Sequence, residues 1–116
     1  MTRDEVIQLI AAAREEGKTL NLYKAALQNL DLSGLDLRRV YLCKANLWGA
    51  NLRGCNLAWS YLREANLNSA NLYRANLNGA ILFRVQLVQA TLREADCRRA
   101  NLRSANLLRA DLTLSL

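Results

Sequence analysis

ANLNSANLYRANLNGAILFR, residues 65–84, decides the fold. Leucine recurs at every fifth position, at Leu67, Leu72, Leu77 and Leu82. The same step runs from Leu22 to Leu112, with only Cys97 out of place. Two residues before each of these positions stands a small residue, most often alanine, and between the two usually Asn or Asp. A step of five suits neither regular element. Around an α-helix it advances each leucine by about 140°, so no single side is apolar. Along a continuous strand an odd step sends every second leucine to the opposite side. Inside one unit, however, Ala45 and Leu47 share a side, as residues two apart do in a strand. The next two residues must turn the chain so that Ala50 and Leu52 also point inward. A short extended segment and a corner, repeated, wind a coil around an apolar axis. The pattern therefore predicts an all-β solenoid. The pentad alone leaves open the number of corners per coil.

The A(N/D)LXX pattern covers roughly 95 of the 116 residues and resembles that of the pentapeptide-repeat family. The resemblance implies a right-handed quadrilateral β-helix with four pentads per coil, hence about 4–5 coils here. It also implies that the Leu and the Ala two before it point inward and the other three residues outward. Packing agrees: a narrow core takes one large residue per side if its partner is small. Coils stack at about 4.8 Å, so Leu52 is expected between Leu32 and Leu72. The small position departs from the family pattern at Leu30, Leu35, Val40 and Val85. Three of these four fall in the first full coil, where a wider core or a cap is expected.

Residues 1–20 lack the pentad. Thr2 with Glu5 reads as a capping box and Gly17 as a stop. Val6, Ile7, Leu9, Ile10 and Ala13 give a helical apolar side. The expectation is a helix at about 3–16, forming an N-terminal α-helical cap over 1–20, with the β-helix at 21–116. A signal peptide fits poorly. Asp4 and Glu5 stand where positive charge is wanted, and Arg14, Glu15 and Glu16 where small residues are. No run reaches transmembrane length, so a soluble, cytoplasmic protein is expected. At the other end the repeat runs to Asp111–Leu112 with no helix after it. The apolar end, Leu102, Leu107, Leu108, Leu112, Leu114 and Leu116, calls for a cover. Two covers are open: a two-fold, end-to-end homodimer, or the last residues folding over the end in cis.

The chain carries a net charge of +6 and no histidine. Residues 1–20 hold Arg3, Arg14 and Lys18 against Asp4, Glu5, Glu15 and Glu16. The solenoid therefore has thirteen Lys/Arg against six Asp/Glu and a basic surface. Three cysteines make no disulfide framework. Cys55 and Cys97 point inward about 10 Å apart by strand spacing, beyond disulfide reach, and Cys43 points outward. Reduced thiols in a cytosolic protein are expected. Without His there is no Ser-His or Cys-His pair, no close ligand cluster for a metal, and no glycine loop for phosphate. No enzymatic activity and no cofactor are expected.

Outward positions carry more when taken in twenties. On one side Tyr41, Tyr61 and Ile81 stand where Asn or Asp belongs, with Cys43, Phe83 and Tyr23 alongside. The stripe Tyr23, Tyr41, Tyr61, Ile81 and Phe83 has two readings: cross-strand packing that stabilises the coil, or a surface for an unknown protein partner. The other sides keep their asparagines, such as Asn46 and Asn66, which suggests amide ladders. Trp48 and Trp59 stand singly. Arg53, Arg74 and Arg93 share a side, and Arg38, Arg39, Arg98 and Arg99 the neighbouring one. They keep the rod soluble or offer a polyanion surface.

A protein-interaction or regulatory scaffold is the leading functional expectation. A nucleic-acid or polyanion binder using the arginine sides is the alternative, and a purely structural module a third. The resemblance also implies the family's gyrase-directed DNA mimicry, but a DNA mimic needs an acidic surface and this rod is basic.

Overall fold

The computed structural model describes all residues, 1–116. Residues Arg3–Glu15 form helix α1. Thr2 caps it, its hydroxyl accepting from Glu5 N at 3.2 Å. Val6 and Ile10 are buried in the same apolar cluster as the solenoid leucines. No helix is long and apolar enough to cross a membrane.

From residue 21 onward the extended segments are single positions paired in parallel with the position twenty residues later. The pairs run from Asn21 with Tyr41 to Thr91 with Asp111. Twenty residues are four pentads, so each coil has four sides, and the chain is a right-handed quadrilateral β-helix. Coils span 21–40, 41–60, 61–80 and 81–100, and a fifth runs from 101 to the end. The molecule measures 38 × 26 × 21 Å. The first face holds the pentads centred on Leu22, Leu42, Leu62, Leu82 and Leu102. The second holds Leu27 to Leu107, the third Leu32 to Leu112, and the fourth Leu37 to Cys97.

Pentads with a coil on either side repeat one set of bonds. Leu22 N donates to Tyr41 O at 2.7 Å, Tyr41 N to Leu20 O at 2.9 Å and Lys24 N to Cys43 O at 3.1 Å, joining neighbouring coils. Ala25 N donates to Leu22 O at 3.0 Å and closes the corner. The second corner residue is left-handed in every pentad. Four corners are glycines, and fifteen are L-residues at φ of 57° to 62°, from Lys24 to Leu114. Left-handed backbone costs an L-residue about 1–2 kcal/mol. The ladder bonds and the leucine core must offset it at those fifteen corners.

The residue before the leucine closes the turn from outside. Asn21 Oδ1 accepts from Tyr23 N at 2.9 Å, and Asn76 Oδ1 from Asn78 N at 2.9 Å. This is an Asx turn, which short Asn and Asp side chains form with the backbone two residues on. The asparagines therefore do not build amide ladders: their oxygens are taken within their own pentads. Across coils, one amide pair forms, Asn106 Nδ2 to Gln86 Oε1 at 3.4 Å.

The leucines from Leu22 to Leu92 are buried in one cluster, and from residue 40 onward the inward position beside them holds alanine, or Val40, Cys55, Ser60 and Val85. At the open first coil, Leu20, Ala25, Leu30 and Leu35 pack against the cluster that contains Val6 and Ile10. The larger inward residues of that coil thus meet the helix. Two arginines tie α1 down. Arg3 donates to Asp31 O at 2.9 Å and to Ser33 O at 3.1 Å, and Arg14 to Asp36 O at 2.8 Å. These carbonyls lie on the edge where no earlier coil supplies a donor. Arg14 also pairs with the Asp36 carboxylate at 3.0 Å.

Candidate functional site

The first face is where the repeat departs most from itself. Tyr41, Tyr61 and Ile81 cannot form the Asx turn, so the N–H groups of Cys43, Arg63 and Phe83 have no side-chain acceptor. In exchange the face presents apolar surface: Tyr23 is 47% exposed, Tyr41 37%, Tyr61 39% and Ile81 37%. The ring centroids of Tyr23 and Tyr41 are 6.3 Å apart, and those of Tyr41 and Tyr61 5.7 Å. Both distances fall in the range where tilted aromatic pairs attract. Phe83 is half-buried. The Arg63 and Arg84 guanidiniums lie 5.2 and 5.1 Å from its ring. The structure thus brings Tyr23, Tyr41, Tyr61, Ile81 and Phe83 onto one face, with Tyr23 and Phe83 in the column beside the other three.

Cations border this strip. Lys24 stands 5.4 Å from the Tyr23 ring. Glu64 is reached by Lys44 at 3.7 Å, Arg84 at 3.8 Å and Arg63 at 3.9 Å. A shallow, open hollow of about 220 Å³ is lined by Tyr23, Tyr41, Cys43, Lys44, Arg63 and Glu64. The Cys43 thiol donates to Tyr61 O at 3.8 Å.

The seven arginines of the basic sides are placed differently. On the third face Arg53 and Arg74 flank the Tyr73 ring at 4.9 and 5.1 Å. Arg74 reaches Glu94 at 3.4 Å. The Tyr73 hydroxyl nearby, and then the charge of Arg74, lower the Glu94 carboxyl below its ordinary value. Arg53, Arg74 and Arg93 share that face with Asp31, Glu94 and Asp111, so its charges balance. On the fourth face Arg38 and Arg98 are spent on Asp36 and Asp96, at 2.7 and 2.8 Å. The hydrogen bond from Arg98 holds the Asp96 carboxyl down at about 2. Arg38 and Arg39 stand three coils, about 14 Å, from Arg98 and Arg99. Ala58, Trp59, Asn78 and Gly79 fill the space between. Most of the excess lies elsewhere. The first face carries Lys24, Lys44, Arg63, Arg84 and Arg103 against Glu64 alone, and the second Arg109 alone.

At the far end, Leu102 and Leu107 are half-buried, and Leu112, also inward, is 45% exposed. Leu108, Leu114 and Leu116 occupy outward or corner positions and are 63%, 70% and 67% exposed. The Leu116 backbone still joins the ladder, its N–H donating to Ala95 O at 2.9 Å and its carbonyl accepting from Cys97 N at 3.1 Å.

All three cysteines are free. Cys55 is buried, its thiol donating to Leu32 O at 2.8 Å, and burial pushes its pKa up to about 11. No group of three or more His, Cys, Asp or Glu side chains converges as a metal site would require.

Three structural devices have no direct sequence pattern: the Asx bond, the Arg3 and Arg14 clamps, and the Trp59 ring, which fills the space where a side chain at Gly79 would stand. For the first an indirect signal exists, the Asn or Asp at a fixed place before each corner.

The comparisons with known proteins agree with this architecture. The pentapeptide-repeats family model matches residues 21–57, 50–85 and 80–116, with eight copies. Among solved structures, the pentapeptide repeat protein Rfr23 of the cyanobacterium Cyanothece 51142 is 32% identical over 76% of this chain and 60% of its own, with a TM-score of 0.74. The pentapeptide repeat protein alr5209 of Nostoc Pcc 7120 is 34% identical over 86% of this chain and 73% of its own, with a TM-score of 0.60. QnrB1, a plasmid-mediated fluoroquinolone resistance protein, is 21% identical over 79% of this chain and 48% of its own, with a TM-score of 0.67. That last likeness is one of fold alone. This chain thus spans about 60% of the length of Rfr23 and about half that of QnrB1. No functionally curated protein matches it. With four pentads to the coil, inward leucines and family matches from residue 21 to residue 116, the chain belongs to the pentapeptide-repeat family.

Proposed function

We propose that this protein is a non-enzymatic interaction scaffold, regulatory in use, that docks a protein partner on its first face. One observation carries the reading. At three consecutive coils the residue that closes the turn is replaced by Tyr41, Tyr61 and Ile81, all more than a third exposed. Each replacement forgoes an Asx bond and leaves apolar surface in water. Tyrosine and arginine side by side are what protein interfaces enrich. Tyr61→Lys is the test. The side chain is outward, so the circular dichroism spectrum should be unchanged while capture of the partner from a lysate is lost. Capture of the same partner by the variant would sink the proposal.

A second proposal concerns assembly. The end face around Leu102, Leu107 and Leu112 takes a second copy of the chain, end to end about a two-fold axis. Light scattering at micromolar concentration should give a dimer mass, and Leu112→Glu should give a monomer. A monomeric wild type overturns it. The cytoplasm is the proposed location.

Polyanion binding through the third and fourth faces has weaker support, because the third balances its charges and the fourth splits its free arginines between its two ends. A gyrase-directed role by DNA mimicry conflicts with the net charge of +6.

A further inference from the structure

The apolar strip and the positive charge coincide on one face. The first face holds five cations against one carboxylate, while the third is neutral and the fourth pairs half of its arginines. We infer that the partner segment received by the first face is acidic: a polypeptide carrying aliphatic or aromatic side chains for the Tyr41–Tyr61–Ile81 strip and carboxylates for the cations beside it. This rests on the docking proposed above and adds the chemistry of what docks.

The cations stand in two columns beside the strip. Lys24, Lys44 and Arg84 lie in the corner column, and Arg63 and Arg103 in the column next to the leucines. From Lys24 to Arg103 is four coils, about 19 Å. About six residues of extended chain, or a little over three turns of helix, cover that length. Glu64 sits in the middle with Lys44, Arg63 and Arg84 around it. Lys24 and Arg103 pair with no carboxylate of the chain, so the unspent charge lies at the two ends of the strip.

A single-stranded nucleic acid also seeks cations beside aromatics, and the ring geometry decides between the two. A base-stacking platform needs free ring faces. Here Tyr23, Tyr41 and Tyr61 lean on one another at 6.3 and 5.7 Å, and the Phe83 ring is attended by two guanidiniums. With the rings engaged on one another and Ile81 37% exposed among them, the strip suits apolar side chains better than bases.

The test is selection of a displayed library of random dodecapeptides against the wild-type protein, followed by fluorescence anisotropy with a labelled peptide from the enriched pool. The expected pool is rich in Asp and Glu together with Leu, Ile or Phe. Its peptide should bind at least tenfold more weakly to the Lys24→Glu/Arg103→Glu double variant and more weakly at 300 than at 50 mM salt, as expected of screened charges (on the order of a Debye length of 10 Å at 0.1 M). It should not bind Tyr61→Lys. A pool without acidic excess, or no enrichment, overturns the inference. Unchanged binding to the double variant with loss in Tyr61→Lys overturns the charge complementarity and leaves the docking face standing. Unchanged binding to Tyr61→Lys removes both. A twenty-nucleotide oligo-dT that binds more tightly than the peptide assigns the face to nucleic acid instead.

Discussion

The indole of Trp59 occupies the space that a side chain at Gly79 would fill. A Cβ built on Gly79 overlaps Trp59 at Cε3, Cζ3 and Cδ2. The two residues hold the same corner of the fourth face in successive coils, and Gly79 also has φ of +71°. At Gly54, φ is +66° but nothing lies within 4 Å of the built atom. The pair separates backbone cost from crowding. Gly54→Ala should change stability by no more than about 1 kcal/mol, the left-handed penalty being partly offset by the stiffer unfolded chain. Gly79→Ala should cost about 2–3 kcal/mol through overpacking and red-shift Trp59 fluorescence in a Trp48→Phe background. Equal urea midpoints for the two variants would show that the nesting contributes nothing.

Ser60 is fully buried, and its hydroxyl has no hydrogen-bond partner. It stands at the small inward position, where Ala80 follows one coil later. An unpaired buried hydroxyl costs about 1–3 kcal/mol. Ser60→Ala should therefore stabilise the fold by about 1 kcal/mol, read as a higher urea midpoint at constant slope. A lower midpoint would mean that the hydroxyl is bonded in solution.

The clamps of α1 predict local unfolding. Arg3 and Arg14 bond three edge carbonyls of the first coil. Both side chains are partly exposed, so each removal should cost only about 1 kcal/mol. Hydrogen exchange should show the Arg3→Ala/Arg14→Ala variant losing protection in α1 first, with amides of the third coil little changed. Uniform loss across the molecule would contradict this.

Stability should fall at both ends of the pH scale. Asp96 has a folded pKa of about 2 against an ordinary 3.8. Its contribution is complete above 3.8 and is lost as pH falls through 2. Asp96→Asn keeps the turn acceptor but not the Arg98 pair, so its Tm should be below that of the wild type at pH 6 and converge with it near pH 2. The Cys55 thiol, at about 11 against an ordinary 9.0, behaves oppositely. Its contribution is complete below 9 and lost as pH rises through 11. Cys55→Ala should flatten the alkaline fall in Tm between those values; an identical slope would refute the assignment.

Much of the architecture was legible because the core imposes it. Leucine and alanine at a step of five, and the Thr2, Glu5, Val6 and Ile10 pattern, report directly on what must be buried or capped. The four-sided cross-section was not legible in the pentad and came through family resemblance. The left-handed corners were hidden because residues such as Lys24, Trp59 and Arg99 occupy them, and none favours that backbone. The reach of Arg3 and Arg14 depends on where α1 docks, which no local pattern encodes. Counting arginines pointed to the third and fourth faces as basic. Asp36, Glu94, Asp96 and Asp111 stand among those same arginines and cancel much of the charge, while the cations of the aromatic face are scattered along the chain and form no run. The pairing of Trp59 with Gly79 is visible only when residues twenty apart are set side by side.

The pairing of each position with one twenty residues on also governs which length changes the molecule tolerates. Deleting one pentad, such as 65–69, leaves every later leucine inward but turns the remainder a quarter revolution. Ile81 then leaves the column of Tyr41 and Phe83 that of Tyr23, and Gly79 no longer lies beneath Trp59. Deleting twenty residues shortens the rod by one storey and keeps all four walls in line. The core is thus blind to a shift that the surface cannot survive, and the natural unit of inheritance for this surface is the whole coil.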